Sequence, residues 1–525
     1  MEQFFEPLYL ERDFHVDGAS DLISSIVKDF TLNGEQERTF RIIANHAISS
    51  NPEQLWMYIG SMGGTGKTQV IKALLQFFMA RNEAHCFIIV ALTGTAAALL
   101  GGSTYHSMFS INNRSGGNKV GCIKARLNGA EYIFFNEVSM LSARDMYCIN
   151  IQLAKVFEIA HLPFGGLNIV FSGDFAQLPP AIGGEHILLY SRSIGTLSTD
   201  IKSQEEAVGK ALWHHFTSVV ILQVNMCQNT QSDEDASLRA ALENMRYKAC
   251  KLEDIAFLRT RISSNIPGQS SICQDQFHNV SIITGTNLHK DEMNRLGAIQ
   301  FAQETNQSLM DSFSSDSPHT TLNQGDSEQS RGCKQVGEIT SEMREALWSQ
   351  PPSSTEKHIA GKLSLCMGLP VMIRYNYATE ICMTHGQEGF VHRWQSKQGS
   401  NGQTILDTLC VRFKDPPTCV KVPGLPDNVV PIYPTTTNIS AVLPNDEKFY
   451  IARMQVEVLV NFAMTDFGLQ GKQGPGMYQI QSISDPINHI ILHYQEVLRQ
   501  KVITGGCLGT LRQELRELEL LDDIT

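Results

Sequence analysis

The sequence predicts an α/β protein whose main sheet is parallel and covered by helices on both faces. Apolar runs of strand length recur at residues 55–59, 86–92, 132–135 and 167–171. They lack the alternation of a half-exposed strand, and helical stretches such as 70–80 and 143–160 separate them. Strands that are apolar throughout and spaced by helices are typical of parallel sheets that are buried on both sides.

Length and composition exclude several classes of protein. The chain has 525 residues, of which 42% are hydrophobic, so it is long enough for three or four units of about 150 residues. Its 12 cysteines form no C-x-x-C pair, and the first ten residues contain no apolar run of signal-peptide length. The longest apolar stretches are far shorter than the roughly 18 residues of a membrane helix. The sequence therefore predicts an intracellular protein with reduced thiols and no membrane partner.

Charge is distributed unevenly along the chain. The formal net charge of −12 disfavours a nucleic-acid partner when taken alone. Between residues 60 and 130, however, seven lysines and arginines accompany a single acid, Glu83, which gives a local charge of +6. Two interpretations stay open: a basic groove within an acidic protein, or an ordinary solvated surface.

The remainder of the chain predicts a second α/β domain with an inserted β module. Apolar runs resume near Val219 and at 280–284, a polar Ser- and Gln-rich stretch follows, and short β-like runs with turn glycines begin near 357. An acidic amphipathic helix is predicted around 511–521. The predicted order is an N-terminal extension (1–29), a first α/β domain (30–215), the first part of a second (216–300), a polar flexible insertion (301–356), a small β module (357–455), and the rest of the second domain with the acidic helix (456–525).

The strongest motif lies between the first apolar run and the helix that follows it. It reads Gly63-Gly64-Thr65-Gly66-Lys67-Thr68. In such a loop successive backbone N–H groups point at phosphate oxygens, and the helix N-terminus adds a positive end. Lys67 then neutralises the β- and γ-phosphates and Thr68 reaches Mg²⁺, although the strict pattern has glycine at the position of Ser61. The motif predicts a site for ATP and Mg²⁺.

Two further strand ends carry side chains suited to nucleotide hydrolysis. The run 132–135 leads into Asn136 and Glu137, where Glu137 is the predicted base for the attacking water. Asn136 is predicted to face the metal, but its amide has no negative charge, whereas Mg²⁺ prefers carboxylate ligands. After the run 167–171, Asp174 and Gln177 are predicted to face the metal and the γ-phosphate, with an ordinary polar turn as the alternative.

Gln36 is the candidate for recognition of the base. It lies at the start of a predicted helix just upstream of the loop, and a glutamine amide can form two hydrogen bonds to adenine. An ordinary helix start is the alternative interpretation.

The order of these motifs resembles the petite-integration-frequency (PIF1-like) family of DNA helicases, superfamily-one motors related to RecD and to helicases of Helitron transposons. The resemblance covers roughly residues 30 to 500. It is carried by motifs at 32–36, 63–68, 93–97, 102–107, 136–140, 173–180, 225–228, 283–287, 368–372, 463–465 and 470–472.

The resemblance implies two RecA-like domains with ATP in the cleft between them, single-stranded DNA across their tops, and a small SH3-like β module inserted in the second. It also implies contacts to the DNA backbone from Thr93, Thr95, Thr104, His106, Thr465, Gln470 and Lys472. Tyr105 and Phe109 are candidates for base stacking, with a place in the core as the alternative.

Three features depart from the family pattern, namely Asn136, Cys227 and the region after Tyr494. The resemblance places a cross-cleft arginine at position 227, and a cysteine cannot replace a permanently charged guanidinium. Arg499 keeps the spacing of the last family motif and is the candidate for that cation. All three departures affect hydrolysis rather than binding.

Two interpretations of function therefore stay open. In the first, the chain is an ATP-dependent helicase that moves five-prime to three-prime on single-stranded DNA and opens forked duplexes. The resemblance then implies roles in DNA repair, recombination and telomere maintenance, in the nucleus or the mitochondrion. In the second, it is a degenerate, transposon-derived copy with little turnover. A signalling ATPase is disfavoured by the motifs at 173–180 and 470–472.

Overall fold

The structure, a computed structural model, describes two compact units, one within residues 19–260 and one within 281–465. No helix in the described ranges is long and apolar enough to cross a membrane. The described residues are 19–50, 52–111, 119–175, 177, 179–180, 187–191, 194, 200–224, 226, 233–246, 249–260, 281–318, 338–355, 357–378, 381–442 and 448–465.

The first unit is built on a parallel sheet of six strands in the spatial order β3-β2-β4-β5-β1-β6. The strands are β1 (Trp56–Ser61), β2 (Phe87–Ala91), β3 (Ser103–Thr104), β4 (Tyr132–Asn136), β5 (Asn168–Gly173) and β6 (Ser218–Leu222). The predicted apolar runs thus form β1, β2, β4 and β5, each within two residues of the expected bounds.

Helices cover this sheet on both faces, as predicted. They are α1 (Ala19–Asp29), α2 (Gly34–Ile48), α3 (Lys67–Ala80), α4 (Gly94–Leu99), α5 (Tyr105–Met108), α6 (Lys119–Arg126), α7 (Ala143–Phe157), α8 (Ile201–Trp213), α9 (Asp233–Arg246) and α10 (Leu252–Arg259). Because side chains alternate along a strand, Phe134 and Val170 join the core beneath α1 to α3, while Phe135 and Phe171 join the core beneath α7 and α8.

Two predicted boundaries of the first domain are wrong. The run near Val219 was expected in the second domain, but as β6 it pairs in parallel with β1, from Met57↔Ser218 to Ser61↔Leu222. The predicted N-terminal extension also belongs to this unit over its described part, because Ile23 and Ile26 of α1 are buried in the first core. The first unit therefore includes residues on both sides of the predicted 30–215 range.

The second unit combines a small parallel α/β part with antiparallel sheets. Its elements are β7 (Ile282–Thr284), α11 (Asn287–Glu304), β8 (Met310–Phe313), β9 (Ser315–Pro318), α12 (Ser341–Ser349), β10 (Lys362–Leu365), β11 (Pro370–Ile373), β12 (Glu388–Gln398), β13 (Thr404–Phe413), β14 (Val429–Ile432), β15 (Thr435–Val442), β16 (Lys448–Gln455), β17 (Val458–Val460) and β18 (Ala463–Thr465). Strands β7 and β18 pair in parallel, and Asn294 of α11 bonds to the backbone of β18 at Ala463. The antiparallel sheets run β14-β13-β12-β11-β17, β15-β16-β9 and β10-β8.

The predicted flexible insertion at 301–356 is wrong for its described parts. Strand β8 pairs with β10, and β9 pairs with β16, so the polar stretch contributes strands to the β region. A buried ion pair fixes β9, because the Arg453 guanidinium bonds to both carboxylate oxygens of Asp316 at 2.9 and 2.8 Å. The β region extends from 310 to 460 rather than 357–455, whereas the acidic helix predicted at 511–521 lies outside the described residues.

Candidate nucleotide-binding site

Three neighbouring strands of the first sheet bring the predicted catalytic residues together. Strands β4, β5 and β1 are adjacent and parallel, so their carboxyl ends meet at one edge. The loop 63–68 follows β1, Asn136 ends β4, and Asp174 follows β5. The predicted convergence of these motifs is therefore present in the structure.

The loop between β1 and α3 has a backbone that requires glycine. Gly64 and Gly66 both have φ of 82°, in the left-handed region that other residues rarely adopt. A Cβ at Gly66 would also collide with the side-chain amide of Gln36. Ser61, where the strict motif has glycine, is instead the buried last residue of β1.

The hydrogen bonds of the loop show which way its peptide groups face. The carbonyls of Met62, Gly64, Thr65 and Gly66 all accept hydrogen bonds from the protein. By contrast, none of the six backbone N–H groups of residues 63–68 has an acceptor among the described residues. Buried or crowded N–H groups normally find a partner, so six consecutive free donors at a helix N-terminus form a ready anion site.

Lys67 and Thr68 open helix α3 beside these donors. Both are half-buried, and the Lys67 ammonium lies 3.5 Å from the Ser61 carbonyl oxygen. Lys67 is the only basic side chain within 63–68. The loop therefore places one cation beside six N–H groups, and the binding of phosphate by this set stays a prediction.

Asn136 and Glu137 place unpartnered oxygen atoms at the same edge. Each residue is 8% exposed, and within the described part of the chain neither Asn136 Oδ1 nor Glu137 Oε2 has a hydrogen-bond partner. Glu137 has φ of 62°, and a Cβ at Gly173 would lie 2.8 Å from the Val138 nitrogen, so the end of β5 fits closely against this turn. Buried oxygens without donors suit a hard cation such as Mg²⁺.

Asp174 and Gln177 lie in the turn after β5. Asp174 is 3% exposed, and its carbonyl accepts a 2.8 Å hydrogen bond from the Gln177 backbone. The Gln177 amide nitrogen lies 4.0 Å from the position of a Cβ at Gly63. Gln177 is therefore close to the loop, which is where a residue that contacts the γ-phosphate has to be.

Gln36 is close to the loop, and each end of its side-chain amide bonds to a backbone group. Its Nε2 donates to the Thr65 carbonyl at 3.0 Å, and its Oε1 accepts from the Asn33 backbone at 3.1 Å. The Asn33 side chain in turn accepts from the Gln36 backbone at 3.0 Å, which completes a capping box at the start of α2. These bonds use one of the two Nε2 hydrogens and one of the two Oε1 lone pairs, so the contact of Gln36 with adenine stays a prediction.

The segment that follows β6 also contacts the phosphate-binding loop. The Met226 backbone N–H donates to the Gly64 carbonyl at 2.8 Å, and the Glu35 carboxylate accepts from the Gln223 and Val224 backbones at 2.7 and 3.2 Å. Cys227 itself lies outside the described residues, but its preceding neighbour is anchored on the loop of the same unit. The cross-cleft position that the resemblance implies for residue 227 stays a prediction.

The residues predicted to bind DNA in the first unit follow β2 and β3. These strands end at the same sheet edge, with β2 about 14 Å from β1 across three strand spacings. Thr93 and Thr104 cap short helices through Ala96 and Ser107, and Thr104 is 5% exposed. Thr93 and His106 are half-buried, so they are the better placed of the predicted contacts.

The two stacking candidates belong to the core. Phe109 is fully buried and stacks on Phe135, with ring centroids 5.9 Å apart. Tyr105 is 6% exposed, and burial together with Asp145 raises the pKa of its hydroxyl. Burial also lowers the pKa of His106, so this residue is neutral at pH 7. The alternative interpretation of both aromatic residues, a place in the core, is therefore the correct one.

The basic stretch does not form a uniform surface. Arg81 pairs with Glu83 at 2.7 Å, and Lys124 pairs with Glu158 at 3.1 Å. Arg126 donates to the Ser107 carbonyl at the end of α5. These contacts favour the interpretation of ordinary solvated side chains for at least three of the seven basic residues.

In the second unit Thr465 ends β18 beside Thr284 of β7. The remaining predicted contacts Gln470 and Lys472 and the candidate cation Arg499 lie outside the described residues, as does the side chain of Thr95. They stay predictions. Sequence reasoning missed Glu35 and the Met226 N–H, since nothing local to either residue signals a contact with the loop.

Taken together, the parallel sheet, the loop 63–68 and the carboxyl ends of β4 and β5 have the arrangement that is typical of P-loop proteins. Residues 31–246 match the family model of the PIF1-like helicases. This part of the chain is therefore similar to the PIF1-like helicases.

Curated helicases of the same name match this chain over part of their length. The ATP-dependent DNA helicase PIF4 of Trypanosoma brucei brucei is 32% identical over 158 residues, which are 28% of this chain and 18% of PIF4. The ATP-dependent DNA helicase Pif1 of Bdellovibrio bacteriovorus is 31% identical over 153 residues, which are 26% of this chain and 34% of that protein. The matches thus span about a third of these relatives or less.

Solved structures share the fold over most of the chain. The Pif1 helicase of Candida albicans has a TM-score of 0.52 at 16% identity and covers 84% of this chain and 87% of its own. Bacteroides Pif1 bound to single-stranded DNA has a TM-score of 0.52 at 16% identity, and the match covers 87% of this chain and 91% of the Bacteroides chain. This likeness confirms the predicted fold class of two RecA-like domains.

Proposed function

We propose that the chain is an ATP-dependent DNA helicase that moves five-prime to three-prime on single-stranded DNA and unwinds forked duplexes. The observation that carries this proposal is the set of six N–H groups in the loop 63–68 that have no acceptor among the described residues, while the loop carbonyls accept hydrogen bonds from the protein. Such a backbone binds a triphosphate, whereas an ordinary turn would satisfy its own donors.

The choice of DNA is supported by what the related structures contain. One is described as Bacteroides Pif1 in complex with ADP-AlF3 and single-stranded DNA, and another as two Pif1 helicases that unwind forked duplex DNA. Thr93, Thr95, Thr104, His106, Thr465, Gln470 and Lys472 are the proposed DNA contacts. The proposed cellular setting is DNA repair, recombination and telomere maintenance in the nucleus, with the mitochondrion as the other proposed location.

Each step of hydrolysis is assigned to residues at the sheet edge. The loop amides and Lys67 bind the triphosphate, and Gln177 contacts the γ-phosphate. Glu137 takes the proton of the attacking water at its unpartnered Oε2. Thr68, Asn136 and Asp174 would hold Mg²⁺, which would supply positive charge to the phosphates. Arg499 is the proposed cation for the transition state.

A second candidate function is favoured by one specific observation. Asn136 presents a neutral, buried oxygen where a carboxylate is the stronger Mg²⁺ ligand. Together with Cys227 in place of a family arginine, this supports a degenerate copy that binds nucleotide and DNA with little turnover.

The experiment is ATP hydrolysis with and without single-stranded DNA, followed by strand separation on forks with a five-prime or a three-prime tail. A helicase hydrolyses ATP faster with DNA and opens the five-prime-tailed fork. Lys67→Ala should abolish nucleotide binding, because it removes the only side-chain cation of the loop. Lys72→Ala removes the same charge from an exposed site on α3 and serves as the matched control.

The outcomes separate the two candidates. Binding of nucleotide and DNA without turnover identifies the degenerate copy. Unchanged nucleotide affinity in Lys67→Ala would reject the site. DNA affinity should also fall steeply with added salt if the backbone is contacted, and a flat response would count against DNA as the partner.

A further inference from the structure

We propose that Ser172 is a positioning residue for Mg²⁺ in the proposed ATP site, where its hydroxyl acts beside Asn136 by binding water of the hydrated ion. The inference rests on the proposed function and gives a role to a residue that the motifs at the sheet edge leave without one. It concerns the place where the neutral amide of Asn136 lacks the charge that Mg²⁺ prefers.

The first step concerns the place of Ser172 in the sheet. Strand β5 lies between β4 and β1, and Ser172 is in register with Asn136 on one side and with Ile59 on the other. Neighbouring strands are about 4.8 Å apart, and residues in register in parallel strands point their side chains to the same face. Asn136 is therefore the polar one of the two side chains that flank Ser172.

The second step concerns the face of the sheet that the two side chains share. The core beneath α1 to α3 includes Phe134 of β4 and Val170 of β5. Because side chains alternate along a strand, the residues two positions further on, Asn136 and Ser172, point to the same face. Helix α3 packs on this face, and Thr68 lies in its first turn. The Ser172 hydroxyl is thus on the side of the sheet that carries the proposed Mg²⁺ residue Thr68.

The third step concerns the chemistry of the two side chains. Ser172 is 1% exposed, and among the described residues neither its Oγ nor Asn136 Oδ1 has a hydrogen-bond partner. A buried hydroxyl without a partner is destabilising, and nearly all such groups in folded proteins have one. A hydroxyl can accept two hydrogen bonds and an amide oxygen also accepts two, so the pair suits a ligand that is rich in O–H donors.

Hydrated Mg²⁺ is a ligand of this kind. The ion keeps several of its water molecules when a protein binds it, and their O–H groups need acceptors around the metal. A phosphate oxygen matches less well, because it is itself an acceptor and could bond only to the Ser172 hydrogen. Two neutral oxygens at adjacent positions, on Asn136 and Ser172, would therefore do the work of one carboxylate. Loss of such an outer contact usually lowers metal affinity by about 10- to 100-fold.

The test measures how nucleotide affinity depends on Mg²⁺. Binding of a nonhydrolysable ATP analogue to the full chain is followed by calorimetry, without metal and over a series of Mg²⁺ concentrations, for the wild type and Ser172→Ala. Ser312→Ala is the control: Ser312 is 0% exposed and its Oγ also has no partner among the described residues, but it lies in β8 of the second unit. Melting temperatures without ligand are measured for all three proteins.

We expect Ser172→Ala to need about tenfold more Mg²⁺ than the wild type for the same gain in nucleotide affinity. Its affinity without metal and its melting temperature should stay unchanged, because the hydroxyl then has no partner to lose. Ser312→Ala should bind the analogue as the wild type does at every Mg²⁺ concentration.

Three results would overturn the inference. The first is an unchanged Mg²⁺ dependence in Ser172→Ala, which with a lowered melting temperature would assign the hydroxyl to the fold. The second is an equal loss of affinity with and without metal, because Ser172 would then act on the nucleotide or the loop. The third is a wild type whose affinity does not respond to Mg²⁺. In all three the wild type still binds nucleotide, so the proposed site stands; a wild type that binds no analogue at any Mg²⁺ concentration would reject that site and the inference with it.

Discussion

Substitution of Asn136 by aspartate tests how strongly the neutral amide at the end of β4 limits hydrolysis. Asn136 is 8% exposed, its Oδ1 has no partner within the described residues, and the adjacent Glu137 is equally buried. Aspartate at 136 would place a second negative charge beside Glu137, and two unit charges at a generic separation of about 6 Å repel each other by about 3 kcal/mol at an effective dielectric constant of 20. Without metal, we therefore expect Asn136→Asp to lower the free energy of unfolding by about 1–3 kcal/mol.

Bound magnesium should offset most of this loss of stability. A carboxylate is a stronger ligand than an amide, and changes of this kind alter metal affinity by about 10- to 100-fold. We therefore expect Asn136→Asp to melt below the wild type without ligand and to recover most of that loss with Mg²⁺ and a nonhydrolysable ATP analogue. The rate of ATP hydrolysis should rise, and should rise further with Cys227→Arg.

Thermal unfolding and hydrolysis rates, both with and without Mg²⁺, measure these effects. Asn45→Asp is the control, because Asn45 is similarly buried at 9% exposure but lies within α2, away from the sheet edge. That variant should be destabilised to the same extent with and without Mg²⁺ and nucleotide. Equal melting temperatures for Asn136→Asp in the two conditions, with no gain in hydrolysis even beside Cys227→Arg, would refute the reasoning.

Two further predictions concern the second unit. Asp316→Ala should lower the free energy of unfolding of this unit by about 3–5 kcal/mol, because it leaves the Arg453 guanidinium buried without its partner. The double variant Asp316→Leu with Arg453→Met should recover most of that loss. Denaturant unfolding measures both changes, and equal losses in the single and double variants would contradict the prediction. Burial, with Arg374 and Lys290 nearby, lowers the pKa of His358 to about 4. Because folding disfavours the protonated form of this histidine, the stability of this unit should fall as pH falls from about 6.5 towards 4. His358→Asn, which tolerates the φ of 52° there, should make melting temperature less dependent on pH across that window, and an unchanged pH dependence would show that His358 does not contribute.

The sheet of the first unit was predictable because its signals are local. An unbroken apolar run such as 132–135 predicts a buried strand from a few residues, and the turn at 63–68 can be predicted from its own glycines. The prediction that Asn136, Asp174 and the loop lie at one edge of the sheet follows from these local signals, because parallel strands end at the same edge.

Pairing between distant segments was not predictable in the same way. Strand β6 joins β1 across more than 150 residues, and nothing in its own sequence assigns it to the first unit rather than the second. The polar strand β9 resembles a flexible insertion until Arg453, far along the chain, satisfies Asp316. Only the structure brings these partners together.

The outcome for Gln36 is intermediate. Asn33 and Gln36 are three residues apart before an apolar helix, which is the spacing of a capping box and a signal available in the sequence. Its second contact, with the Thr65 carbonyl, joins residues 29 positions apart and becomes visible only in the fold.

Hydrogen exchange at the backbone N–H groups of residues 63–68 tests the nucleotide site most directly. Without ligand these six donors have no acceptor in the described structure, so we expect rapid exchange. Addition of Mg²⁺ and a nonhydrolysable ATP analogue should slow exchange across the whole loop and leave exchange in the β12–β13 turn at 399–403, in the second unit, unchanged. Exchange in the loop that is equally fast with and without the analogue would contradict the assignment of these amides to a triphosphate.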